Sequence, residues 1–423
     1  GVSSAASDVY KRQTSYWETR SNGDTPLIRI GTAMCGHAAG AFRVADRVKT
    51  VLSERSIEAN LDEVGCLGLC YAEPLLDIKK PGRPRIFFNN VSSSDVEQII
   101  EDYLINDLLP ESQVLGYMGE GEVTDSTDSM ENIPGIALQN RIALRNAGHT
   151  APGDILQYIA TGGYSGLYKA VTSMESSEVI DEVKNSGLRG RGGAAFPTGV
   201  KWSFLVGAPG PTKYILCNCE EGDPGAYNDK GILESDPHTL LEGLAIAGYA
   251  TGASNGIVFI RHGHDGPIDR TEKAISEAYE NGLLGENIFG SDFSFDIEVA
   301  LTGESYVAGE ETALMEAVEG KRSMPRFRPP FPAAFGVWGK PSNINNVKSL
   351  SYAPEIISKG AEWFSSIGVN QSTGTAIVCL TGDVNKPGLY EVPMGMTLGQ
   401  VVEALGGGVS GGRKFKLLQT GAP

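Results

Sequence analysis

Five runs between Lys213 and Gly303 alternate in kind: KYILCN, SDPHTLLEGLAIAGYA, GIVFIRH, DGPIDRTEKAISEAYENG and FDIEVALTG. The first, third and fifth are short and β-rich. The second and fourth are helical, and the second opens with a Ser/Asp start and a proline in its first turn. Strand, helix, strand, helix, strand is a βαβ signature, and it points to an α/β layer fold over residues 143–350 with ligand loops at the strand ends. A chain of 423 residues exceeds one ordinary core, so about three units are expected.

On the N-terminal side, residues 26–31 (PLIRIG) read as a strand, 38–53 as a helix, 74–79 and 84–88 as a hairpin whose PGRP turn is set by two prolines, and 94–104 as a helix. That order over residues 24–108 predicts a small α/β domain of thioredoxin-like type. The acidic, Gly/Ser-rich stretch that follows makes 109–139 an expected linker. From Gly374, TAIVCLTGDVNKPGLYEVPMG reads as a hairpin around an Asn-Lys-Pro-Gly turn, and Thr397–Leu405 as a helix. This suits a β-grasp (ubiquitin-like) domain over 370–423. Residues 1–13 (GVSSAASDVYKRQ) read as a non-native leader, and the stop at LLQTGAP, straight after an expected strand, as the edge of a fragment.

Net charge is −17, from 35 Lys+Arg against 52 Asp+Glu, which argues against nucleic acid as a partner. No run approaches the ~18 apolar residues of a membrane helix, so direct insertion into a bilayer is not expected. Six cysteines, at 35, 66, 70, 217, 219 and 379, do not make a disulfide framework in a chain of this length. They fit a reducing compartment and a cytoplasmic location. Cys217 and Cys219 point the same way from one strand and are read as packing residues. His149, His238, His262 and His264 are expected at surface or turn positions.

The candidate chemistry begins at residues 187–202, GLRGRGGAAFPTGVKW, where five glycines stand among Arg189, Arg191 and Lys201. Gly190-x-Gly192-x-x-Ala195 formally satisfies the dinucleotide fingerprint, yet the preceding VIDEVKNSG is helical where that fingerprint requires a strand. Glycines alone are more often a structural turn than a site. With three cations and the aromatic Phe196 and Phe204 alongside, the segment suits a phosphorylated, aromatic ligand. CEEGDPG places Glu220, Glu221 and Asp223 at the carboxyl end of a strand, as acceptors for ligand hydroxyls or as a plain acidic turn. YVAGEETAL puts Glu310 and Glu311 at a helix start, where carboxylates are also favourable as dipole partners. Asn345 and Asn346 in SNINNV suit a ring edge or a turn.

GLRGRGGAAFPTGVKW, CNCEEGDPG, YVAGEETAL, RPPFPA and KPSNINNV occur in the order and spacing of a known family. The chain resembles the NADH-binding flavoprotein subunit of respiratory complex I and the diaphorase subunits of NAD(P)-linked hydrogenases and formate dehydrogenases. The resemblance implies a Rossmann-like α/β FMN- and NAD-binding domain over 140–352. It implies FMN contacts from Gly190, Arg191, Gly192, Gly193, Lys201, Asn218, Glu220, Gly309, Glu310, Asn345 and Asn346. Phe196, Phe204, Glu221, Asp223, Tyr306 and Glu311 would face NADH or NADPH. The implied activity is hydride transfer from NADH to FMN, then single-electron transfer to iron–sulfur subunits of a respiratory, hydrogenase or formate dehydrogenase complex. No catalytic acid or base is required. A diaphorase running toward NAD(P) reduction is the alternative, and a flavin-free scaffold subunit the alternative of another class. Two positions depart from the family pattern: Asp223 stands for a usual glutamate, and Ala195 for a usual glycine. The intact family continues into a helical domain with four cysteines for a [4Fe-4S] cluster. No cysteine follows Cys379, so that cluster is expected in the parent protein and not in this chain.

Cys66-x3-Cys70 lies in a Gly-rich loop, VGCLGLCYAEP, and Cys35 ends the first strand region. Close backbone approach and N–H donors suit iron–sulfur thiolates, and the segment resembles a thioredoxin-like [2Fe-2S] domain. The pattern there is C-x4-C then C-x3-C, and here Ile30 occupies the first position. A non-cysteine fourth ligand (His37 is nearest in sequence), weak cluster binding, or the fold without a cluster all remain open.

Overall fold

The computed structural model describes residues 13, 15–110, 113–121, 123, 127–303 and 305–421. The expected leader lies outside them except for Gln13.

Nine strands form two sheets. In the first, β1 (Leu27–Gly31), β2 (Asn60–Val64), β3 (Leu76–Lys79), β4 (Arg85–Phe88) and β5 (Val114–Met118) are ordered β2-β1-β3-β4-β5. β1 and β2 are parallel and joined by the helices Met34–Ala39 and Ala41–Glu54; β3, β4 and β5 follow antiparallel. This β-α-β then β-β-α connectivity is that of a thioredoxin-like domain. Gly40, at φ 98°, caps the first helix and opens the second, so the expected single helix is two; only glycine takes that backbone without strain.

The expected linker is corrected by β5. Residues 114–118 pair with β4 across a bulge between Phe87 and Phe88. VLGYM is an apolar run inside that acidic, Gly/Ser-rich stretch, and as an edge strand it pairs on one side only.

The second sheet is wholly parallel: β6 (Tyr214–Cys219), β7 (Asn255–Arg261), β8 (Asp296–Thr302) and β9 (Ser342–Asn346), in the order β8-β7-β6-β9. Strand order reverses between β6 and β9, and crevices at the carboxyl ends of such strands are where open α/β sheets bind ligands. The helix Pro237–Thr251 is buried almost throughout. His238 is therefore not at the surface: its Nδ1 is 3.0 Å from Tyr164 Oη and its Nε2 3.3 Å from Glu277 Oε2. His149 lies in a turn, as expected, with Nδ1 2.7 Å from Arg85 Nη1 in the seam against the first sheet. Cys217 and Cys219 are both fully buried, as packing residues are.

Two-residue strands β10 (Gly368–Val369) and β11 (Ser372–Thr373) lead into the hairpin β12 (Thr375–Leu380) and β13 (Gly388–Pro393). The helix expected at 397–405 begins at a Thr397/Gln400 capping box. No strand forms over 413–420, contrary to expectation. Leu67, Leu69, Leu75, Phe87 and Met130 of the first unit pack with Leu380, Tyr390, Val392 and Leu405 of the last. Leu389 N donates to Gly68 O at 3.0 Å. The units share buried surface and are not beads on a linker.

Candidate functional site

The glycine-rich loop follows the helix Ser176–Asn185 and precedes the helix Thr198–Val206. An Arg189–Pro197 bridge and the bond from Gly190 N to Phe196 O (2.8 Å) pinch it closed at its base. Arg191 N donates to Ser349 Oγ (2.8 Å), and a Cβ on Gly192 would lie 3.2 Å from Asn346 Cβ. The loop thus lies against the end of β9, at the switch point. Gly193 has φ 115° with open space around its missing Cβ, while Ala195 holds φ 52°, a left-handed conformation that alanine adopts at a cost. The following helix has no side-chain N-cap, and the buried Thr198 Oγ1 has no hydrogen-bond partner. Glycines without side chains, an uncapped helix start and an orphaned hydroxyl fit a phosphate-bearing group such as FMN.

The cations are partly engaged. Arg191 donates through Nε to Thr375 O (3.2 Å), through Nη1 to Arg189 O (2.8 Å) and through Nη2 to Thr373 O (2.9 Å). Lys201 Nζ donates to Ile344 O at 2.6 Å and lies 3.6 Å from Glu311 Oε2; burial pushes its pKa down, opposed by Glu311. Glu311 is also paired with Arg328.

The carboxylates divide by role. Glu220 is ion-paired with Arg261 at the end of β7, and a Cβ on Gly309 would lie 3.2 Å from Glu220 Oε2. Asn218 Nδ2 donates to Gly309 O at 2.8 Å, which ties β6 to the turn before Glu310. Glu221 accepts from the backbone N–H of Asn228, Asp229 and Lys230 at 2.9, 3.1 and 2.9 Å. It is buried, and desolvation, reinforced by Asp229, lifts its carboxyl to about 7. Glu310 caps the helix Glu311–Val318 through Thr312 N and Ala313 N, both 2.9 Å. Asn345 and Asn346 are also bound within the protein, to Asn343 (2.8 Å) and Asp229 (2.7 Å).

What faces outward is aromatic. Phe196 is 44% exposed, Phe204 56% and Tyr306 64%. The two phenylalanine rings lie 6.0 Å apart. A hydrogen bond to Asp223, followed by that residue's charge, raises the Tyr306 phenol, so these two predicted nicotinamide-side residues meet. Ser349, Arg261, Arg328 and the buried Asp229–Lys348 pair (2.7 Å) escaped the sequence reading. Only Arg261 carried a signal, as a cation ending a strand next to the carboxylates of β6.

Some distance along the chain, the Sγ atoms of Cys35, Cys66 and Cys70 all lie within 4.8 Å of one another. Cys66 and Cys70 are 3.8 Å apart, and Gly68 N donates to Cys66 Sγ at 3.2 Å. Hydrogen bonds from Cys35 and then Cys66 pull the Cys70 thiol down to about 5. Three converging sulfurs and a backbone N–H donor fit an iron–sulfur cluster. His37 is exposed, with its ring edge-on to Phe42 at 4.7 Å, and is not in this group. Ile30 is fully buried in the apolar core.

Residues 183–355 match the Nuo51 FMN-binding domain of the complex I 51K family, and residues 377–422 match the SLBB domain. The NADP-reducing hydrogenase subunit HndC of Solidesulfovibrio fructosivorans is 51% identical over 285 residues, covering 67% of this chain and 58% of that protein. An NADH-quinone oxidoreductase subunit of Rhizobium meliloti is 49% identical over 264 residues, covering 62% of this chain and 63% of that protein. The chain therefore spans about three-fifths of the length of these curated relatives. The crystal structure of an NAD+-reducing [NiFe]-hydrogenase in the H2-reduced state superposes with a TM-score of 0.57 at 27% identity, covering 96% of this chain and 65% of that one. With the parallel sheet, the switch-point loop and the following hairpin in the same order, residues 183–355 form a Nuo51 FMN-binding domain and residues 377–422 an SLBB domain.

Proposed function

We propose that the chain oxidises NADH or NADPH through bound FMN and passes the electrons singly to iron–sulfur centres of a larger complex. The observation that carries this reading is the seating of the 190–193 loop on the end of β9, beside the outward-facing Phe196 and Phe204. Bound FMN would supply the chemistry, exchanging a hydride with nicotinamide and releasing single electrons. The chain's own contribution is positional. Gly190, Gly192 and Gly193 admit a phosphate to the start of the helix Thr198–Val206. Lys201 supplies a cation there, and Glu220, held by Arg261, offers acceptors for ligand hydroxyls. Phe196 and Phe204 give a planar ring an apolar face, and Tyr306 with Asp223 adds a further aromatic ring and a carboxylate. None of these groups needs to move a proton.

The likeness to HndC and to the NAD+-reducing hydrogenase supports a second reading of direction, a diaphorase module whose electrons run toward NAD(P). We assign Cys35, Cys66 and Cys70 to an iron–sulfur cluster on the same electron route, and iron–sulfur subunits as the partners. A reducing, cytoplasmic location accords with six free cysteines; among the described residues no helix is long and apolar enough to cross a membrane.

The test is spectroscopic. FMN added to the chain and then desalted should leave flavin absorbance near ~450 nm that bleaches anaerobically with NADH. A colourless protein after desalting would overturn the reading.

A further inference from the structure

We propose that Glu73 is the fourth ligand, through a carboxylate oxygen, of the iron–sulfur cluster held by Cys35, Cys66 and Cys70. The inference rests on the iron–sulfur reading of that cysteine group. Glu73 follows the short turn Cys70–Ala72 and brings its carboxylate back to the edge of the cysteine group, with Oε1 3.7 Å from Cys35 Sγ. Leu75 N donates to Oε2 at 2.8 Å. One oxygen is therefore fixed by backbone while the other is left toward the Cys35 thiol.

The side chain is 6% exposed, and among the described residues no ion pair reaches it. Arg29, which lines the same small cavity, turns to Asp77 instead, at 3.2 Å. A carboxylate buried without a cation is costly unless paired or bound to a metal. The space around it is cut to fit. A Cβ on Gly31 would lie 3.0 Å from Glu73 Oε1, and one on Gly36 would lie 3.3 Å from Oε2. Gly31 ends β1, and Gly36 stands next to Cys35 in the helix Met34–Ala39.

The chemistry is balanced. A carboxylate brings the same single negative charge as the thiolate it would replace, and oxygen is an accepted donor to iron beside sulfur. Of the residues that could complete the set, Ile30 has no donor and His37 faces away from the sulfurs.

The experiment uses the full chain, reconstituted anaerobically with ferrous iron and sulfide, and compares wild type with Glu73→Cys and Glu73→Ala. Wild type should bind about two irons per chain and show an oxygen scatterer at the iron K-edge. In Glu73→Cys the iron content should persist while the Fe–O contribution is replaced by Fe–S and the EPR g values of the dithionite-reduced sample shift. Glu73→Ala should lose most of its iron or show a changed EPR signal. If wild type takes up no cluster, the underlying iron–sulfur reading falls and this proposal with it. If wild type binds a cluster with sulfur-only iron scattering, or both variants leave the EPR and edge spectra unchanged, Glu73 is not a ligand although the cluster is real. Should Glu73→Ala fail to fold by circular dichroism, wild type and Glu73→Cys decide the question.

Discussion

Arg191 Nη2 lies 2.9 Å from Thr373 O, so the cation expected to meet a flavin phosphate also holds the chain entering the C-terminal hairpin. The guanidinium makes three backbone bonds, two of them to residues 373 and 375, and lies over the Tyr352 ring at 5.6 Å. Hydrogen bonds from a charged group contribute about 1.5–3 kcal/mol each. Arg191→Ala is expected to lower stability by about 2–4 kcal/mol and to abolish FMN retention. Arg191→Lys should rescue little of either, since a lysine has a point charge and no planar fork. Urea unfolding and flavin retention after gel filtration measure the two effects; full rescue by lysine would refute the clamp.

Lys201, proposed on the flavin side, and Glu311, proposed on the nicotinamide side, are 3.6 Å apart, so the proposed pocket would couple the two. Substitutions Lys201→Met and Glu311→Gln should be non-additive in FMN affinity, with a coupling of about 0.5–3 kcal/mol in a double-mutant cycle. Additive effects would mean the pair does not form around the bound flavin.

Phe196 and Phe204 pack on no core, each being close to half exposed or more. Truncating either to alanine should change stability by no more than about 0.5 kcal/mol. A stacked ring contributes ~0.5–1.5 kcal/mol, so the KM for NADH should rise roughly two- to tenfold with FMN affinity unchanged. Steady-state kinetics with ferricyanide as acceptor give the answer.

Ala195 sits at φ 52°. Ala195→Gly should stabilise the loop by up to about 1 kcal/mol and Ala195→Val should destabilise it by about 1–2 kcal/mol. Chemical unfolding of both variants checks the sign; a destabilising glycine would show that the backbone strain is absent.

Glu221 has its carboxyl raised to about 7, by desolvation and then by Asp229. A carboxyl whose folded pKa exceeds its unfolded value binds protons more tightly when folded. Its contribution to stability is therefore fully present below the unfolded pKa and is lost as pH rises through about 7. Glu221→Gln should flatten the fall in unfolding free energy between about pH 4.5 and 7. An unchanged pH profile in the variant would place the titration elsewhere.

The βαβ runs, the helix before the glycine loop, the Asn-Lys-Pro-Gly hairpin and the thioredoxin-like order were legible because periodicity, proline and glycine act over a few residues. The edge strand β5 was not, since its VLGYM lies inside an acidic, Gly/Ser-rich stretch that resembles a linker and its pairing with β4 depends on a partner distant in sequence. The buried His238 was missed for a related reason: a helix buried on all sides gives no polar stripe to show which positions face water.

The order of the elements, the family motifs and the three cysteines that meet were all readable in the chain before it is folded. How the charges are used belongs to the packed molecule. Packing set Arg191 on a carbonyl 182 positions away, Glu221 on a helix start, and Glu73 beside a cysteine 38 positions earlier. Local patterns fix which backbone conformations a segment adopts; which distant donor meets which acceptor depends on how the packed units bring their surfaces together.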